Sequence, residues 1–345
     1  MTTSTEMNEM IEERYQFCIW MYRIKKETDE RNQKKRNRGV TNLVYIDIFA
    51  IPSHLKILFG GFFDTPLYTE IATLGEYNIR VLCLTTDDNK LYSGNMDGDI
   101  RVLNIKSHEE IAILKGHLNW VYCLTLHDNK LYSGSWDKTI RIWNTETHEL
   151  IATLRGHTGY VTCLVIHNNK LFSGSWDNTI RVWNIDTYEQ IAILRGHYGI
   201  THCLTAGDNK LYSGNHDGTI YIWNIDTYEH ISALVVHTST VTCITLHNNK
   251  LFSGGMDKTI RVWNIDTNEE IATLRWHTNM VNCLTIHDNK LYSSSTDKTI
   301  RIWNTKTHEE IAIARGNTST VKCIALHKNK LYSGGMDETI RIWNV

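Results

Sequence analysis

Serine, histidine and aspartate recur together five times in this 345-residue chain, as His117, Ser133 and Asp137; His157, Ser173 and Asp177; His197, Ser213 and Asp217; His237, Ser253 and Asp257; and His277, Ser293 and Asp297. This is the inventory of a hydrolase, in which a histidine takes the proton of a serine nucleophile and an aspartate orients the imidazole. Such an enzyme needs one exposed nucleophile, an oxyanion site and a substrate cleft, and it is recognised by geometry rather than by residue types. Five equivalent copies argue for one structural unit written many times, and no unit carries an odd, convergent set of ionisable residues. No phosphate-binding Gly motif, Cys-x-x-Cys pair or HExxH is present either. The expectation is a protein that is not an enzyme and needs no cofactor.

The trios are carried by a forty-residue period. "IATL" or a variant of it begins at 71, 111, 151, 191, 231, 271 and 311 without insertion or deletion, and a period of this size means a repeat architecture. Turn signals cut each unit into four short runs, such as "LIATL", "YVTCLVIH", "KLFSG" and "TIRVWN", rich in β-branched and aromatic residues, which predict four strands. Asn89, Asn129, Asn169, Asn209, Asn249, Asn289 and Asn329 share one register between the second and third runs, where a tight hairpin needs a residue that tolerates positive φ. "TIRIWN" sets Ile140 and Ile142 on one face and Arg141 and Trp143 on the other. Neither face is purely polar, as expected of a sheet packed between two neighbours.

Hydrophobic residues make up 41% and charged residues 21% of the chain, the balance of a folded soluble protein. A formal net charge of -2 gives no whole-molecule attraction to a phosphate backbone, so nucleic acid is not an expected partner. Seven of the eight cysteines, Cys83, Cys123, Cys163, Cys203, Cys243, Cys283 and Cys323, are one position repeated. They read as reduced packing residues of a cytoplasmic protein, neither bridged nor holding a metal. The start "MTTSTEMNEMIEER" is polar and acidic, unlike a secretory leader, and no run is long enough to insert in a membrane.

"GH" at Gly116-His117, Gly156-His157 and Gly196-His197, with an aspartate twenty residues after each histidine and a tryptophan six beyond it, resembles the WD-repeat β-propeller family over about residues 66 to 345. The units end "WN" rather than "WD", and the first ends Leu103-Asn104. The resemblance implies an all-β, seven-bladed β-propeller. The chain stops at "TIRIWNV", after the third strand of the last unit, and "LYTEIATL" at 67 to 74 is expected to supply the missing outer strand and close the ring. It also turns the trios into structural relays, running from the indole N–H of Trp143, Trp183, Trp223, Trp263 or Trp303 through serine and histidine to the turn aspartate. The relay is expected in units two to six. Asn317 replaces the histidine of unit seven, and Tyr77 and Leu103 replace the histidine and tryptophan of unit one.

Residues that never vary between units serve the blade, so selectivity belongs to positions that vary on the face where this family binds peptides. Before the turn aspartate stand Met96, Trp136, Trp176, His216, Met256, Thr296 and Met336. Before the first-strand valine stand Arg80, Trp120, Tyr160, Ile200, Thr240, Met280 and Thr320, and after it Leu82, Tyr122, Thr162, His202, Thr242, Asn282 and Lys322. Trp120, Tyr122, Trp136, Tyr160 and Trp176 fall in adjacent units, with His202 and His216 next to them. Rigid aromatic rings with a polar tip bury much area at small entropic cost, so these residues predict a groove for a partner's peptide. Arg80 and Lys322 add a basic corner for an acidic flank. If the rings form a docking surface, removing Trp136 and Trp176 abolishes capture and leaves the melting temperature nearly unchanged; if they are packing, stability falls.

Residues 1–40 read as a helical, charged extension, with Met7, Ile11, Tyr15, Cys18 and Tyr22 at helical spacing. "KKRNR" at 34 to 38 continues this charged face and is also the one nuclear-type signal. Residues 41–65 form an apolar connecting segment, in which "HLKILFGGFFD" echoes "HNNKLFSGGMD" at 247 to 257 as a degenerate repeat would. A helix ahead of a seven-bladed ring is similar in layout to G-protein β subunits, which implies a helical partner for the extension. The repeat wording resembles the substrate-receptor propellers of ubiquitin ligases, although no F-box pattern is present. The leading reading is a scaffold or adaptor that binds protein or peptide ligands, with ligase substrate recognition and signalling with a helical partner as alternatives.

Overall fold

Two consecutive residues at positive φ make the tightest hairpin connection, and asparagine and aspartate bear that conformation best. Asp128 and Asn129 adopt φ of 43° and 57°, Asn168 and Asn169 47° and 57°, and Asn248 and Asn249 46° and 60°. Blade 1 reaches the same connection differently, through an Asp87 carboxylate that accepts the backbone N–H groups of Asn89 (2.8 Å) and Lys90 (2.7 Å). The "WN" ending has a similar cause. The Asn144 carboxamide oxygen accepts the N–H groups of Glu146 and Thr147, at 2.7 and 2.9 Å, and Asn104, Asn184, Asn224, Asn264 and Asn304 repeat the arrangement. An amide oxygen suffices to hold this turn.

The structure, a computed structural model, describes residues 68–74, 79–197 and 199–345. The expected helical extension over 1–40, the segment 41–65 and Tyr77 lie outside the described residues. The described residues form seven four-stranded antiparallel sheets. Blade 2 is typical, with strands Val121–His127, Lys130–Ser135, Ile140–Asn144 and Leu150–Leu154 counted from the centre outward. Each sequence repeat therefore gives its first run to the preceding blade and its other three to its own, which laces neighbours together. Innermost strands pack side by side around the ring, and the last, Val321–His327, packs on the first, Val81–Thr86. They surround a central channel.

Closure follows the sequence expectation. Glu70–Leu74 pairs antiparallel with Ile340–Asn344, setting Glu70 opposite Trp343 and Leu74 opposite Ile340. Arg341 Nη1 donates to Glu70 Oε2 at 2.7 Å, the position that Arg101–Glu110 and Arg261–Glu270 fill in other blades at 2.8 Å. Hydrophobic packing lies between blades. Phe172, Ile180 and Val182 of blade 3 meet Leu204, Leu211 and Trp223 of blade 4. At the junction of blades 7 and 1, the buried Leu103 fills the slot that tryptophan takes elsewhere. All seven cysteines described are free thiols. Six of them sit at a blade seam over a glycine: a Cβ added at Gly134 would lie 2.6 Å from Cys123 Sγ and 2.7 Å from Val161 of the next blade. Blade 6 carries Ser294 in place of that glycine, and there Cys283 turns its thiol toward Ile324 O (3.9 Å) instead.

Candidate functional site

The Ser-His-Asp trios are closed to substrate. In blade 2 the Trp143 indole N–H donates to Ser133 Oγ (2.9 Å), Ser133 Oγ lies 2.7 Å from His117 Nε2, and His117 Nδ1 lies 2.8 Å from Asp137 Oδ2. Ser133 is 0% exposed, so its hydroxyl serves only as a link. Blades 3, 5 and 6 repeat the chain through His157, Ser173, Asp177 and Trp183; His237, Ser253, Asp257 and Trp263; and His277, Ser293, Asp297 and Trp303. Burial alone would raise the Asp137 carboxyl. The hydrogen bond and charge of His117, with donors from Thr139 and the Leu118 N–H, outweigh it and hold Asp137 well below the usual carboxylate range, as happens at Asp177, Asp257 and Asp297.

Blade 4 departs from the expected relay. Trp223 still donates to Ser213 (3.0 Å), but His197 reaches neither Ser213 nor Asp217. Two residues foreign to the other repeats draw the ends apart. Thr201, where the other innermost strands begin with valine, brings its hydroxyl within 3.0 Å of His197 Nε2. Tyr221, where the other blades have arginine, donates its hydroxyl to Asp217 Oδ2 at 3.1 Å. His197 Nδ1 is left buried without a partner, and burial lowers the pKa of the ring. In blade 7, Asn317 takes the histidine's place and its Oδ1 accepts from Ser333 Oγ at 3.4 Å.

One backbone hydrogen bond builds the variable face. In each blade the N–H of the residue before the turn aspartate donates to the carbonyl of the residue before the innermost strand: Trp136 to Trp120 (3.0 Å), Trp176 to Tyr160 (2.9 Å), His216 to Ile200 (2.9 Å), Met96 to Arg80 (3.2 Å). Each blade thus presents a fixed pair of side chains. In blades 2 and 3 both pairs are aromatic, and they fuse. Trp136 stacks on Trp120 (ring centroids 4.2 Å apart) and on Tyr160 (4.6 Å, interplanar angle 6°), with Tyr122 at 6.0 Å and Trp176 at 5.8 Å. Trp176 also meets Tyr160 at 5.2 Å and is 41% exposed. Trp136 is the half-buried hub of the cluster and Trp176 its exposed edge, so the two indoles expected together at the docking surface occupy different places in it. The Trp136 Nε1 is buried without a partner.

The remaining predicted residues divide between face and channel. His216 is exposed beside the cluster, with Nδ1 3.0 Å from Thr240 Oγ1. His202 faces the channel 5.8 Å from the His216 ring, and burial, with help from the nearby charges of His216 and Lys322, lowers its pKa to about 4. Arg80 stays exposed. Lys322 departs from the expected basic corner: it turns into the channel, donates to Tyr122 Oη at 3.1 Å, and lies 5.2 Å from the centroid of that ring. Sequence reasoning passed over Leu118 and saw in Trp276 only a replaced glycine, giving neither a part in the predicted surface. Leu118 is 88% exposed where Thr158, Thr238, Thr278 and Thr318 stand in other repeats, and Trp276, in a usual glycine position, is 65% exposed. The comparison of repeats that found the indoles would have singled out both.

The family model described as "WD domain, G-beta repeat" matches residues 108–144, 148–184, 188–224, 228–264, 268–304 and 309–344, together more than half of the chain. The first repeat, with Leu103 in the tryptophan position, lies outside the matched residues. No curated protein matches. Among solved structures, the crystal structure of the computationally designed Ika8 protein is similar, with a TM-score of 0.67 and 27% identity over 80% of this chain and 99% of that one. Among the described residues no helix is long and apolar enough to cross a membrane, and none group as a metal site. Repeats, ring and relays together make this chain a member of the WD-repeat family.

Proposed function

We propose that this protein is a non-enzymatic scaffold that captures a partner peptide on the face formed by blades 2 to 4. The observation that carries this reading is the fused aromatic cluster: four rings support one another, and Trp176 is left 41% exposed at the edge. Such an arrangement offers a rigid, apolar, partly polar-tipped surface at small entropic cost. Leu118, whose N–H is tied to Asp137 Oδ2 at 3.0 Å next to Trp136, extends it. An apolar or proline side chain of the partner would lie on Trp176 and Leu118, and an arginine would stack on the exposed indole. Relays in blades 2 and 3 hold the two turns that carry Trp136 and Trp176, so the surface is organised before the partner arrives. The test is a displayed peptide library selected on the full chain, followed by titration of enriched peptides by fluorescence polarisation. Trp176→Ala and Leu118→Asp are expected to weaken binding at least tenfold with folding intact. Enriched peptides that bind both variants as tightly as the wild type would refute the reading.

A further inference from the structure

The innermost strands bring one side chain per blade into the channel, and the seven are not alike. Thr162 and Thr242 spend their hydroxyls on backbone carbonyls, and Asn282 donates to Val321 O at 2.9 Å and Thr296 Oγ1 at 3.1 Å. Lys322 is different. Its ammonium makes one hydrogen bond, to Tyr122 Oη across the channel, and pairs with no carboxylate among the described residues. The channel holds a cavity of about 270 Å³ whose described lining contains no aspartate or glutamate. His202 lines the same cavity, with Nε2 buried and without a partner. A cation matched only by a neutral hydroxyl and a polar ring atom without a partner line a shared space whose described lining holds no carboxylate, and leaving such groups unmatched is costly.

We propose that this cavity binds one carboxylate group, held by the Lys322 ammonium with His202 Nε2 as a second donor and Tyr122 orienting the lysine. The charge balance selects a carboxylate over a phosphate. His202 is neutral at pH 7, and burial raises the seam thiols Cys83, Cys123, Cys203 and Cys323 so that they too are uncharged. The site then carries a single positive charge, which a monoanion neutralises and a phosphate dianion would exceed in a lining rich in thiols and in Met256 and Met280. The carboxylate comes either from a free small acid or from an acidic residue of a peptide bound on the aromatic face. Tyr122 joins the two places, since its ring lies 6.0 Å from Trp136 while its hydroxyl holds Lys322. The peptide source rests on the proposed capture function; the free-acid source does not.

Two arms distinguish these sources. In the first, the full chain is titrated with acetate at pH 7 by calorimetry, against sodium chloride at equal ionic strength. Wild type and Trp176→Ala are expected to bind acetate equally, Lys322→Met at least tenfold more weakly, and His202→Asn several-fold more weakly. In the second, peptide selection is run in parallel on wild type and Lys322→Met, and an excess of Asp and Glu on wild type alone is expected if the peptide supplies the group. Binding of acetate without acidic enrichment supports the free acid, and enrichment without acetate binding supports the peptide. The inference is overturned if acetate and chloride act alike on wild type and both selections yield the same acid content. Loss of peptide capture by Trp176→Ala with acetate binding unchanged bears on the aromatic face and leaves the channel site standing.

Discussion

Trp136→Ala and Trp176→Ala should differ sharply in stability, although both remove an indole from the same cluster. Trp136 contacts four rings, two of them in close stacks at 4.2 and 4.6 Å, whereas Trp176 contacts two, at 5.8 and 5.2 Å, and is 41% exposed. Aromatic pairs contribute about 0.5–1.5 kcal/mol beyond burial, and truncating a well-packed tryptophan costs about 3–5 kcal/mol. Trp136 is only partly covered, and it buries an indole N–H that has no partner, which offsets about 1 kcal/mol. The net cost of Trp136→Ala is therefore about 2–4 kcal/mol, and that of Trp176→Ala about 1 kcal/mol. For a domain of this size each kcal/mol moves Tm by roughly 2–4 °C, so thermal melts followed by circular dichroism resolve the two. Trp136→Phe keeps the stack, removes the orphan N–H and should melt close to wild type. If Trp136→Ala melts within 2 °C of wild type, or Trp136→Phe falls as far as the alanine variant, Trp136 is not the hub.

Other consequences can be measured on the same chain. Ser133→Ala strands the Trp143 indole N–H and unseats His117, so it should cost about 1–3 kcal/mol in chemical denaturation, whereas Ser213→Ala in blade 4, where His197 is already detached, should cost less. Gly134→Ala drives a Cβ into Cys123 and Val161 and should destabilise by about 1–3 kcal/mol; a neutral result would mean that the seams yield easily. The pH dependence has two parts of the same sign. Asp137, Asp177, Asp257 and Asp297 titrate lower in the folded protein than unfolded, so their stabilisation is complete above about pH 4 and is lost progressively below it. His202 also titrates lower when folded, at about 4 against roughly 6.5 unfolded, so stability begins to fall as pH drops through 6.5 and this loss levels off below about 4. His197, His108, His148 and His308 are also lowered by burial and act in the same direction, so His202→Asn should reduce the slope between those limits without abolishing it and leave the lower part unchanged.

Much of the fold can be read from the repeat itself. A forty-residue period and four runs per unit were enough to assign 67–74 to the last blade, where Glu70–Leu74 pairs with Ile340–Asn344, because an unpaired outer edge demands a partner. The relays in blades 2, 3, 5 and 6 were legible because a local motif suffices to build them. The failure in blade 4 was not, since His197, Ser213, Asp217 and Trp223 are all present and the competition comes from Thr201 and Tyr221, which lie off the motif. The aromatic cluster was visible as variation between copies, yet the unequal roles of Trp136 and Trp176 depend on ring geometry across two blades. Lys322 was misplaced for a related reason. The residue before the valine precedes the innermost strand, whereas Lys322 sits at the register shift between Val321 and Cys323 and lines the channel, and its contact with Tyr122, 200 positions away, exists only once the ring has closed.

The central claim is that shared residues make the ring rigid while the few that differ select a partner, and hydrogen–deuterium exchange with and without an enriched peptide tests it most directly. The account predicts new protection confined to segments 118–122, 158–162 and 176–178, with the outer strands of all blades unchanged. Protection on the outer strands or on the blade 5 and 6 turns, with those three segments exchanging as in the free protein, would contradict it.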